Sequence, residues 1–327
     1  MAGEQTPRMH RKLVITTAPP RGAFDGIGER FPELEIVDCS ADRERVKTEI
    51  SDAHAAVGAV SAEELARAKR LELVQVFSQG VEHLMYPEMR AHPAVVSNGR
   101  GVWSPTMGEH ILAMLLAIYR RIPGFVRSQQ ARQWARDASE PFRYARLTGK
   151  TVAMLGTGDI AQYTVELLRP FGCRLIGINR TGRAIDGYDA VYSVERMHEA
   201  LPQADALVCS LPNTPETKAL LGAEEFALMR ETAVFVNVGR GSCVDEPALI
   251  AALRDGTIAA AGLDVFAVEP LPEDSPLWGM ENVLITPHMS ALSPDYIDRV
   301  RKILFENLER LRDGRPFLNR VDKTAGY

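Results

Sequence analysis

Several hallmarks of other protein classes are missing from this chain of 327 residues. No stretch approaches 18 uninterrupted apolar residues, so we expect no membrane-spanning helix. The beginning of the chain lacks the apolar segment of a secretory signal. The basic excess typical of nucleic-acid-binding proteins is absent as well, because the formal net charge is −5. Neither a membrane nor a nucleic acid is therefore expected as the main partner.

Two common kinds of enzyme site also lack their signatures. There is no G-x-S-x-G motif, which argues against a serine hydrolase. The histidines and cysteines show no spacing typical of zinc ligands, so we predict no metal site. The only four cysteines, Cys39, Cys173, Cys209 and Cys243, form no C-x-x-C pair, and three lie in or beside apolar runs. Reduced, partly buried thiols are the simplest interpretation, and they indicate a cytoplasmic location.

A glycine-rich turn inside residues 151–180 is the strongest positive signal. An apolar run ends in Gly156-Thr157-Gly158, a helical pattern follows, and a second apolar run ends at Asn179. This order of strand, turn, helix and strand is typical of a dinucleotide-binding βαβ unit, in which the helix N-terminus faces a pyrophosphate. Ala161 occupies the third small position of the fingerprint. The alternative is a glycine turn in an α/β domain without a ligand.

Short apolar runs alternate with helix-compatible segments along most of the chain. In the first part they cover 12–17, 34–37, 55–60, 73–77 and 95–97; after the glycine turn they cover 206–211, 233–238, 259–265 and 283–286. Such alternation predicts parallel sheets with helices on both faces. The fold class is therefore α/β, and the polar, glycine-rich break at 98–101 indicates a crossing between two domains.

Two helices are predicted outside this alternation. Ser104, as N-cap, and Pro105 begin one whose apolar stripe ends at Pro123-Gly124, and a second helical stretch follows from Phe125. These helices either form a subunit interface or are buried within the chain. Another helix starts at Ser293-Pro294 and is stopped by a glycine. Because it follows the completed second sheet, we expect it to return to the first domain.

Four polar residues follow three strands of the second sheet, where ligands bind in open parallel sheets. They are Arg240, Asp264, Glu269 and His288. An arginine forks onto a carboxylate, and a histidine held by a carboxylate exchanges a proton with a hydroxyl. With hydride supplied by a dinucleotide, the set suits interconversion of a 2-oxo acid and a 2-hydroxy acid.

Each of these residues also has a purely structural interpretation. Arg240 suits a surface ion pair, although it stands between two glycines after a strand and has no helix face to occupy. His288 suits a cap or a core position, Asp264 suits a turn cap, and Glu269 suits an ordinary loop carboxylate. These alternatives stay open on the residues alone.

Taken together, the motifs resemble those of the D-isomer-specific 2-hydroxyacid dehydrogenase family over nearly the whole chain. They are LGTGDIA at 155–161, LPNTPET at 211–217, VNVGRG at 236–241, GLDVFAVEPLP at 262–272 and TPH at 286–288. The resemblance implies that Arg240 binds the substrate carboxylate and carbonyl. It also implies that His288 is the general acid and base with Glu269 paired to it, and that Asp264 holds the nicotinamide carboxamide.

The resemblance further implies binding residues and an overall arrangement. Cofactor contacts would come from Gly156, Thr157, Gly158, Asp159, Ile160, Asn179, Arg180, Thr181, Leu211, Pro212, Thr217, Val238, Asp264, Ser290 and Thr106. Substrate contacts would come from Ser78, the backbone of Gly80 and Val81, Arg240 and His288, with Arg100, Trp103 and Met289 as further candidates. Residues 1–101 and 292–327 would form a substrate-binding domain, and 102–291 a Rossmann domain. A cleft would separate these flavodoxin-like and Rossmann-like sheets, and the protein would be a homodimer.

One departure from the family pattern concerns the cofactor. NAD-specific members carry an acidic residue after the second strand, whereas this chain has Asn179-Arg180-Thr181 with Arg183 nearby. A carboxylate repels a 2′-phosphate and an arginine binds one, so we predict a preference for NADP(H), with NAD(H) possible. The alternative is that Arg180 points to solvent and either cofactor serves.

Subfamilies are separated by single features. Glu269 argues against a formate dehydrogenase, which carries glutamine there, and the chain ends without the added C-terminal domain of many phosphoglycerate dehydrogenases. A glyoxylate or hydroxypyruvate reductase fits best. The alternative from another class is a corepressor-like scaffold that binds dinucleotide with little catalysis, because such members keep the same three polar residues.

Overall fold

The structure, a computed structural model, describes residues 11–134 and 145–326. The predicted lack of a secretory signal concerns the first residues, which lie outside this range. The chain divides into two compact units: residues up to Val102 together with those from Ser293 onward, and Trp103–Leu292. Within the described ranges, none of the helices combines the length and the apolar character needed to cross a membrane.

The first unit contains a five-stranded parallel sheet with the order β2-β1-β3-β4-β5. Leu13 and Val14 of β1, an inner strand, point to opposite faces, and each lies in a separate buried cluster, so helices cover both faces. Its strands are β1 (Arg11–Ile15), β2 (Leu34–Asp38), β3 (Ala55–Val57), β4 (Leu73–Gln75) and β5 (Val95–Ser97). Its helices are α1 (Ile27–Arg30), α2 (Arg43–Glu49), α3 (Ala62–Leu65), α4 (Pro87–Ala91) and the C-terminal α11 (Tyr296–Asp313).

The C-terminal helix α11 packs on the sheet of the first unit, as expected from the sequence. Leu304 and Leu308 from this helix are fully or almost fully buried in the cluster that contains Leu13 and Leu73. The helix ends where Gly314 adopts a left-handed conformation with φ of 65°, which suits glycine at this position. The apolar stripe of this helix is therefore satisfied within its own unit.

The second unit contains a seven-stranded parallel sheet with the order β12-β11-β10-β9-β6-β7-β8. Its strands are β6 (Thr151–Leu155), β7 (Arg174–Asn179), β8 (Ala190–Ser193), β9 (Ala206–Cys209), β10 (Val234–Asn237), β11 (Ala260–Leu263) and β12 (Val283–Ile285). Its helices are α5 (Ser104–Tyr119), α6 (Ile122–Gln130), α7 (Asp159–Leu168), α8 (Met197–Ala200), α9 (Ala223–Leu228) and α10 (Glu246–Arg254). Strand β6 pairs with both β7 and β9, so the strand order reverses there, and open α/β sheets bind ligands at such a point.

Helix α5 crosses one face of this second sheet. A Cβ on Gly262 of β11 would lie 3.1 Å from the sulfur of Met114, and a Cβ on Gly108 would lie 2.7 Å from the ring of Tyr163. Glycines thus let α5 approach both the sheet and α7. His110, in the N-terminal half of α5, contacts Thr286, the residue that directly follows β12. The first turn of α5 therefore lies towards the carboxyl edge of the strands.

Several predicted element ends were wrong. Ser104 is the first residue of α5 rather than its cap, since Trp103 precedes the helix, and the Ser104 hydroxyl makes no hydrogen bond with any described residue. Pro123-Gly124 does not end that helix. Arg121 adopts a left-handed conformation with φ of 56°, α5 stops at Tyr119, and the proline sits in the first turn of α6, where it costs no hydrogen bond.

The remaining differences are smaller. The last helix begins at Tyr296 instead of Ser293, and most strands are one to three residues shorter than their apolar runs. Strand β8 was not predicted, because its residues are only half-buried and the run is short.

Candidate active site

The loops at the carboxyl edge of the second sheet lie side by side. At the start of each loop, a backbone N–H donates a hydrogen bond to a main-chain carbonyl at the carboxyl end of the neighbouring strand. The pairs are Gly156 to Ile178, Ser210 to Leu155, Val238 to Cys209, Asp264 to Asn237 and Thr286 to Leu263, all between 2.9 and 3.1 Å. The sequence-predicted residues of five loops are therefore gathered along one edge.

The glycine turn after β6 has the form that a pyrophosphate needs. Gly156 has φ of 95°, and a Cβ there would lie 3.1 Å from the hydroxyl of Ser210, so a side chain would collide with the loop after β9. A Cβ on Gly158 would meet no atom within 4 Å, so the space in front of it is open. Asp159 and Ile160 form the first turn of α7, whose N–H groups face this space. The turn fits a dinucleotide.

The loop after β7 is built around Asn179. Its side-chain oxygen accepts hydrogen bonds from the backbone N–H groups of Thr181 (3.2 Å) and Gly182 (2.7 Å), and its amide donates to Arg183 O (2.9 Å). Asn179 thus folds the loop on itself and carries no charge. The side chains of Arg180 and Arg183 are exposed beside it. No carboxylate stands at this position to repel a phosphate.

The loop after β9 is closed by one hydroxyl. Thr217 Oγ1 donates to Pro212 O at 2.7 Å and accepts from Thr214 N at 2.8 Å. Leu211 and Pro212 are half-buried at its start. A Cβ on Gly239 would lie 2.7 Å from Leu211 N, so the loop after β10 presses directly against this one.

Arg240 follows β10 and is held by its own turn. Asn237 accepts from Gly239 N (3.0 Å) and donates to Arg240 O (3.1 Å), while the guanidinium donates to Gly239 O (2.9 Å). Gly241 comes next, and a Cβ there would lie 1.9 Å from the backbone carbonyl of Phe266. The backbone at position 241 can lie this close to Phe266 only without a side chain. Gly241 therefore allows the Arg240 loop to pack directly against the loop after β11.

The loop after β11 carries Glu269, which bonds to His288. Glu269 Oε2 lies 2.6 Å from His288 Nδ1, and Glu269 Oε1 accepts from Phe266 N at 3.0 Å. Both carboxylate oxygens are thus engaged and the carboxylate is fixed. Half of the His288 side chain is exposed, and its Nε2 points away from Glu269. Because Phe266 contacts Gly241, Arg240 and His288 are linked through adjacent loops.

Asp264 lies behind this pair and is fully buried. Its Oδ1 accepts from Thr286 Oγ1 (2.6 Å) and Met289 N (2.9 Å), and its Oδ2 accepts from Ser290 N (3.1 Å). Burial alone would raise the pKa of Asp264, yet the hydrogen bonds from Ser290, Thr286 and Met289 outweigh it and lower the pKa below its ordinary value. The carboxylate is therefore ionised, and within the described residues it serves to hold the turn that follows His288.

The remaining predicted residues lie elsewhere. Thr106 is half-buried in the first turn of α5. Ser78, Gly80 and Val81 follow β4 in the first unit, where the Ser78 hydroxyl donates to Gly80 O at 2.8 Å. Asn98 steadies this loop by donating to Gln79 O at 2.8 Å. Val81 is 1% exposed, so its contribution is confined to its backbone.

Two residues of the second-unit edge were missed from the sequence. Asn237 orders the Arg240 turn, and its signal was a polar residue ending the apolar run AVFVN. His110 contacts Thr286, and its signal was a histidine within the apolar pattern of a helix. Among residues 11–134 and 145–326, no group of three or more histidine, cysteine or acidic residues is placed to hold a metal ion.

Comparison with known proteins agrees with this geometry. Residues 112–290 match the model of the D-isomer specific 2-hydroxyacid dehydrogenase NAD-binding domain. A D-isomer specific 2-hydroxyacid dehydrogenase from Xanthobacter autotrophicus Py2, solved with NADPH and MES, shares 33% identity with a TM-score of 0.84, covering 97% of this chain and 100% of that one. An NADPH-dependent glyoxylate/hydroxypyruvate reductase from Sinorhizobium meliloti, solved with NADP and sulfate, shares 28% identity with a TM-score of 0.82 over 97% and 100% of the two chains.

A relative from Pyrococcus furiosus extends the comparison to curated enzymes. This glyoxylate reductase is 29% identical over 316 residues, which cover 94% of each chain. The glycine turn, the bonded histidine and glutamate and the matching family model lead to one conclusion. The chain belongs to the D-isomer-specific 2-hydroxyacid dehydrogenase family and is an NAD(P)-dependent oxidoreductase.

Proposed function

We propose that this protein is an NADP(H)-preferring reductase of small 2-oxo acids such as glyoxylate and hydroxypyruvate. The observation that carries the proposal is the 2.6 Å bond between His288 Nδ1 and Glu269 Oε2, on the same sheet edge as Arg240 and the Gly156–Gly158 turn. The reductases from Pyrococcus furiosus and Sinorhizobium meliloti support the choice of substrate class.

In this proposal each side chain has one task. The nicotinamide, when bound, supplies or accepts the hydride. Arg240 forks onto the substrate carboxylate and polarises the carbonyl. Glu269 accepts a hydrogen bond from Nδ1–H of His288, which fixes the orientation of the ring. In reduction the protonated ring gives its Nε2 proton to the carbonyl oxygen, and in oxidation the neutral Nε2 takes that proton from the hydroxyl.

The preference for NADP(H) rests on the loop after β7. Asn179 is uncharged and is used within the loop, while Arg180 and Arg183 are exposed beside it. A guanidinium bound to a 2′-phosphate is worth about 1.5–3 kcal/mol, which corresponds to roughly tenfold or more in preference. The relatives solved with NADPH or NADP agree with this assignment.

For the first unit we propose the role of substrate-binding domain. Residues 1–101 and 292–327 would form it, and 102–291 would form the dinucleotide domain. The backbone N–H groups of Gly80 and Val81, in the loop steadied by Asn98, would receive the substrate carboxylate, with Ser78 beside them. Within the second unit, Thr106 and Ser290 would contribute to the nicotinamide site, and Asp264 would hold the carboxamide.

The decisive experiment measures NADPH and NADH oxidation with glyoxylate, hydroxypyruvate and larger 2-oxo acids. We expect turnover with the small acids and a kcat/KM at least tenfold higher with NADPH. A clear preference for NADH would refute the cofactor assignment. Complete inactivity over the panel, with dinucleotide still bound in a fluorescence titration, would instead favour a dinucleotide-binding scaffold.

A homodimer is part of the same proposal. Helix α6 exposes three apolar side chains, Ile122 (49%), Phe125 (39%) and Val126 (45%). Beside it lies a cavity of about 500 Å³ lined in part by Ile118 and Ile258. Among the residues that the structure describes, exposed apolar side chains such as those of Ile122 and Val126 favour association with a second copy. Light scattering should give twice the chain mass, and Val126→Glu should shift the population towards monomer; a monomeric wild type would exclude the dimer.

The last element of the proposed function is a cytoplasmic location. All four cysteines are free and buried, which suits a reducing compartment. Fractionation of expressing cells should place the protein with cytoplasmic markers. Recovery with an exported fraction would contradict this assignment.

A further inference from the structure

Helix α5 places a histidine against the turn that carries His288. His110 Nε2 lies 3.1 Å from Thr286 Oγ1, and the same hydroxyl lies 2.6 Å from Asp264 Oδ1. The direct distance from His110 Nε2 to Asp264 Oδ1 is 3.9 Å, so the hydroxyl bridges the two. The side chain of His110 is 23% exposed and that of Asp264 is fully buried. This chain of three groups lies wholly within the second unit.

The positions of the protons follow from the chemistry of the three groups. Asp264 is ionised, as its lowered pKa indicates, and a carboxylate only accepts hydrogen bonds. The single O–H of Thr286 therefore donates its hydrogen bond to Asp264, and a lone pair of the same oxygen accepts a hydrogen bond from His110 Nε2–H. Burial lowers the pKa of His110, opposed by the charge of Asp264. The imidazole is thus neutral near pH 7 and carries its proton on Nε2.

Asp264 in turn fixes three consecutive backbone groups. Its main-chain carbonyl accepts from His288 N (2.9 Å), and its carboxylate accepts from Met289 N and Ser290 N. His288 has φ of 53°, a left-handed conformation that costs a residue with a side chain of the order of 1 kcal/mol or more. Such a residue keeps its conformation only when its surroundings hold it. The Asp264 carboxylate therefore holds the two residues that follow His288, and with them the backbone turn from which the His288 imidazole extends.

We propose that His110 is a positioning residue for the reaction. Its Nε2–H directs the Thr286 hydroxyl onto Asp264, and Asp264 holds the strained backbone that aims His288. This inference rests on the proposed function of His288 and adds to it a residue that touches neither substrate nor the reacting atoms. The bond that matters is the donation from Nε2, so a side chain that keeps a donor at that place should keep the effect.

Two substitutions separate donation from packing. His110→Phe keeps a planar ring and removes the donor, whereas His110→Gln keeps an N–H near the position of Nε2. We expect His110→Phe to lower kcat for NADPH-dependent glyoxylate reduction about tenfold, the effect of one hydrogen bond on the barrier. The Kd for NADPH should change less than kcat, because the pyrophosphate turn is untouched and only the contacts of Asp264 and Ser290 at the nicotinamide end adjoin the change. His110→Gln should restore kcat to within about threefold of wild type.

Thr286 supplies a second pair and a test of coupling. Thr286→Val should lower kcat by a similar factor and Thr286→Ser should not. The double variant His110→Phe/Thr286→Val should be no worse than Thr286→Val alone, because both changes break one chain of contacts. Full kcat in His110→Phe, equal losses in His110→Phe and His110→Gln, or additive losses in the double variant would each overturn the proposal.

A spectroscopic readout keeps the inference testable if turnover is absent. The chain has seven histidines, and loss of one Hε1 signal in His288→Asn assigns the His288 resonance. That resonance should move in His110→Phe and return in His110→Gln, while His198→Gln should leave it in place. An unmoved resonance overturns the positioning role whatever the activity. A wild type that binds NADPH without turnover, yet shows the shift, would reject the proposed function and retain the coupling.

Discussion

The two units use the same parallel-sheet architecture and finish its carboxyl edge in different ways. In the first unit, Gln75 and Ser97 end neighbouring strands and bond to Asn307 of α11 at 2.8 and 2.9 Å. Leu318 N also donates to Asn307 at 2.7 Å, so neutral side chains satisfy one another in the interior. In the second unit, Arg240 and His288 follow the strand ends and remain partly exposed.

This difference separates a network that supports the fold from groups that can act on a ligand. A neutral network with every partner internal contributes stability and a unique arrangement. Charged groups held at fixed positions but open on one side can act on a ligand. The comparison therefore predicts that changes to Arg240 and His288 affect the reaction, and that changes to the Asn307 network of the first unit affect stability.

The largest effect should come from His288. His288→Asn removes the group that exchanges a proton, so kcat should fall by about 10²–10⁴ while NADPH still binds. Steady-state kinetics and a fluorescence titration measure both quantities. The chain offers a matched control in His198, whose Nε2 lies 2.9 Å from Glu225 Oε1 on the same unit. His198→Asn should leave kcat within twofold; similar losses in both variants would mean that the pairing itself, rather than its place, was responsible.

The next effect should appear in the first unit as lost stability. Asn307→Leu removes a buried amide and leaves Gln75 Oε1 and Leu318 N without this partner, while Ser97 Oγ keeps only its bond to Leu318 O. We expect unfolding to become easier by about 3 kcal/mol, seen as a lower urea midpoint. The kcat of the protein that remains folded should be unchanged. A fall in kcat with an unaltered urea midpoint would contradict the distinction between the carboxyl edges of the two sheets.

A smaller change is expected at the end of β7. Arg180→Gln should lower kcat/KM for NADPH about tenfold and leave the value for NADH within twofold, because only NADPH carries the 2′-phosphate. Kinetics with both cofactors on one preparation provide the internal reference. An equal fall for both cofactors would show that Arg180 supports the loop instead of reading the phosphate.

The smallest effect concerns pH and involves both units. Burial lowers the pKa of His54 in the first unit and of His110 in the second. The folded state thus prefers the neutral ring, so their contribution to stability is complete above about pH 6.5 and is lost as the pH falls below it. Asp264, whose pKa is lowered, contributes above about pH 4 and loses its contribution only below that.

Thermal unfolding between pH 7.5 and 5.5 tests this assignment. His54 Nδ1 accepts from Lys12 N at 3.2 Å, and His54→Gln keeps an acceptor that does not titrate. The fall in Tm over this range should therefore be smaller in His54→Gln than in wild type. An unchanged slope would assign the pH dependence to other groups.

Much of the fold follows from local patterns. Apolar runs of three to seven residues predicted all strands of the two sheets except β8, because fully buried parallel strands need apolar side chains on both faces. The turn at Gly156 and Gly158 was predictable since its signal lies within a few residues. The early end of α5 was not, because it depends on the left-handed conformation of Arg121, and Pro123 is compatible with either a stop or a start.

The site was predictable in its parts and less so in its arrangement. The sequence pointed to Arg240, Glu269 and His288 as a set: each had a structural alternative when taken alone, and the family motifs joined them. The residues behind the His288 turn could not be predicted, because His110 and Thr286 are 176 positions apart and no spacing rule connects them. Asp264 was expected from the family resemblance to face the cofactor, and its burial behind the His288 turn emerges only once three loops are folded together.

Gly241 offers a rule for interpreting other sequences. With 1.9 Å between a Cβ at this position and the carbonyl of Phe266, even alanine would force two loops apart. A substitution at Gly241 therefore displaces Arg240 indirectly, because it separates the loop that carries the guanidinium from the loop after β11. In any homologue with a larger residue at this position, we expect the arginine to have moved, and substrate preference should be predicted from that altered geometry rather than from the presence of the arginine.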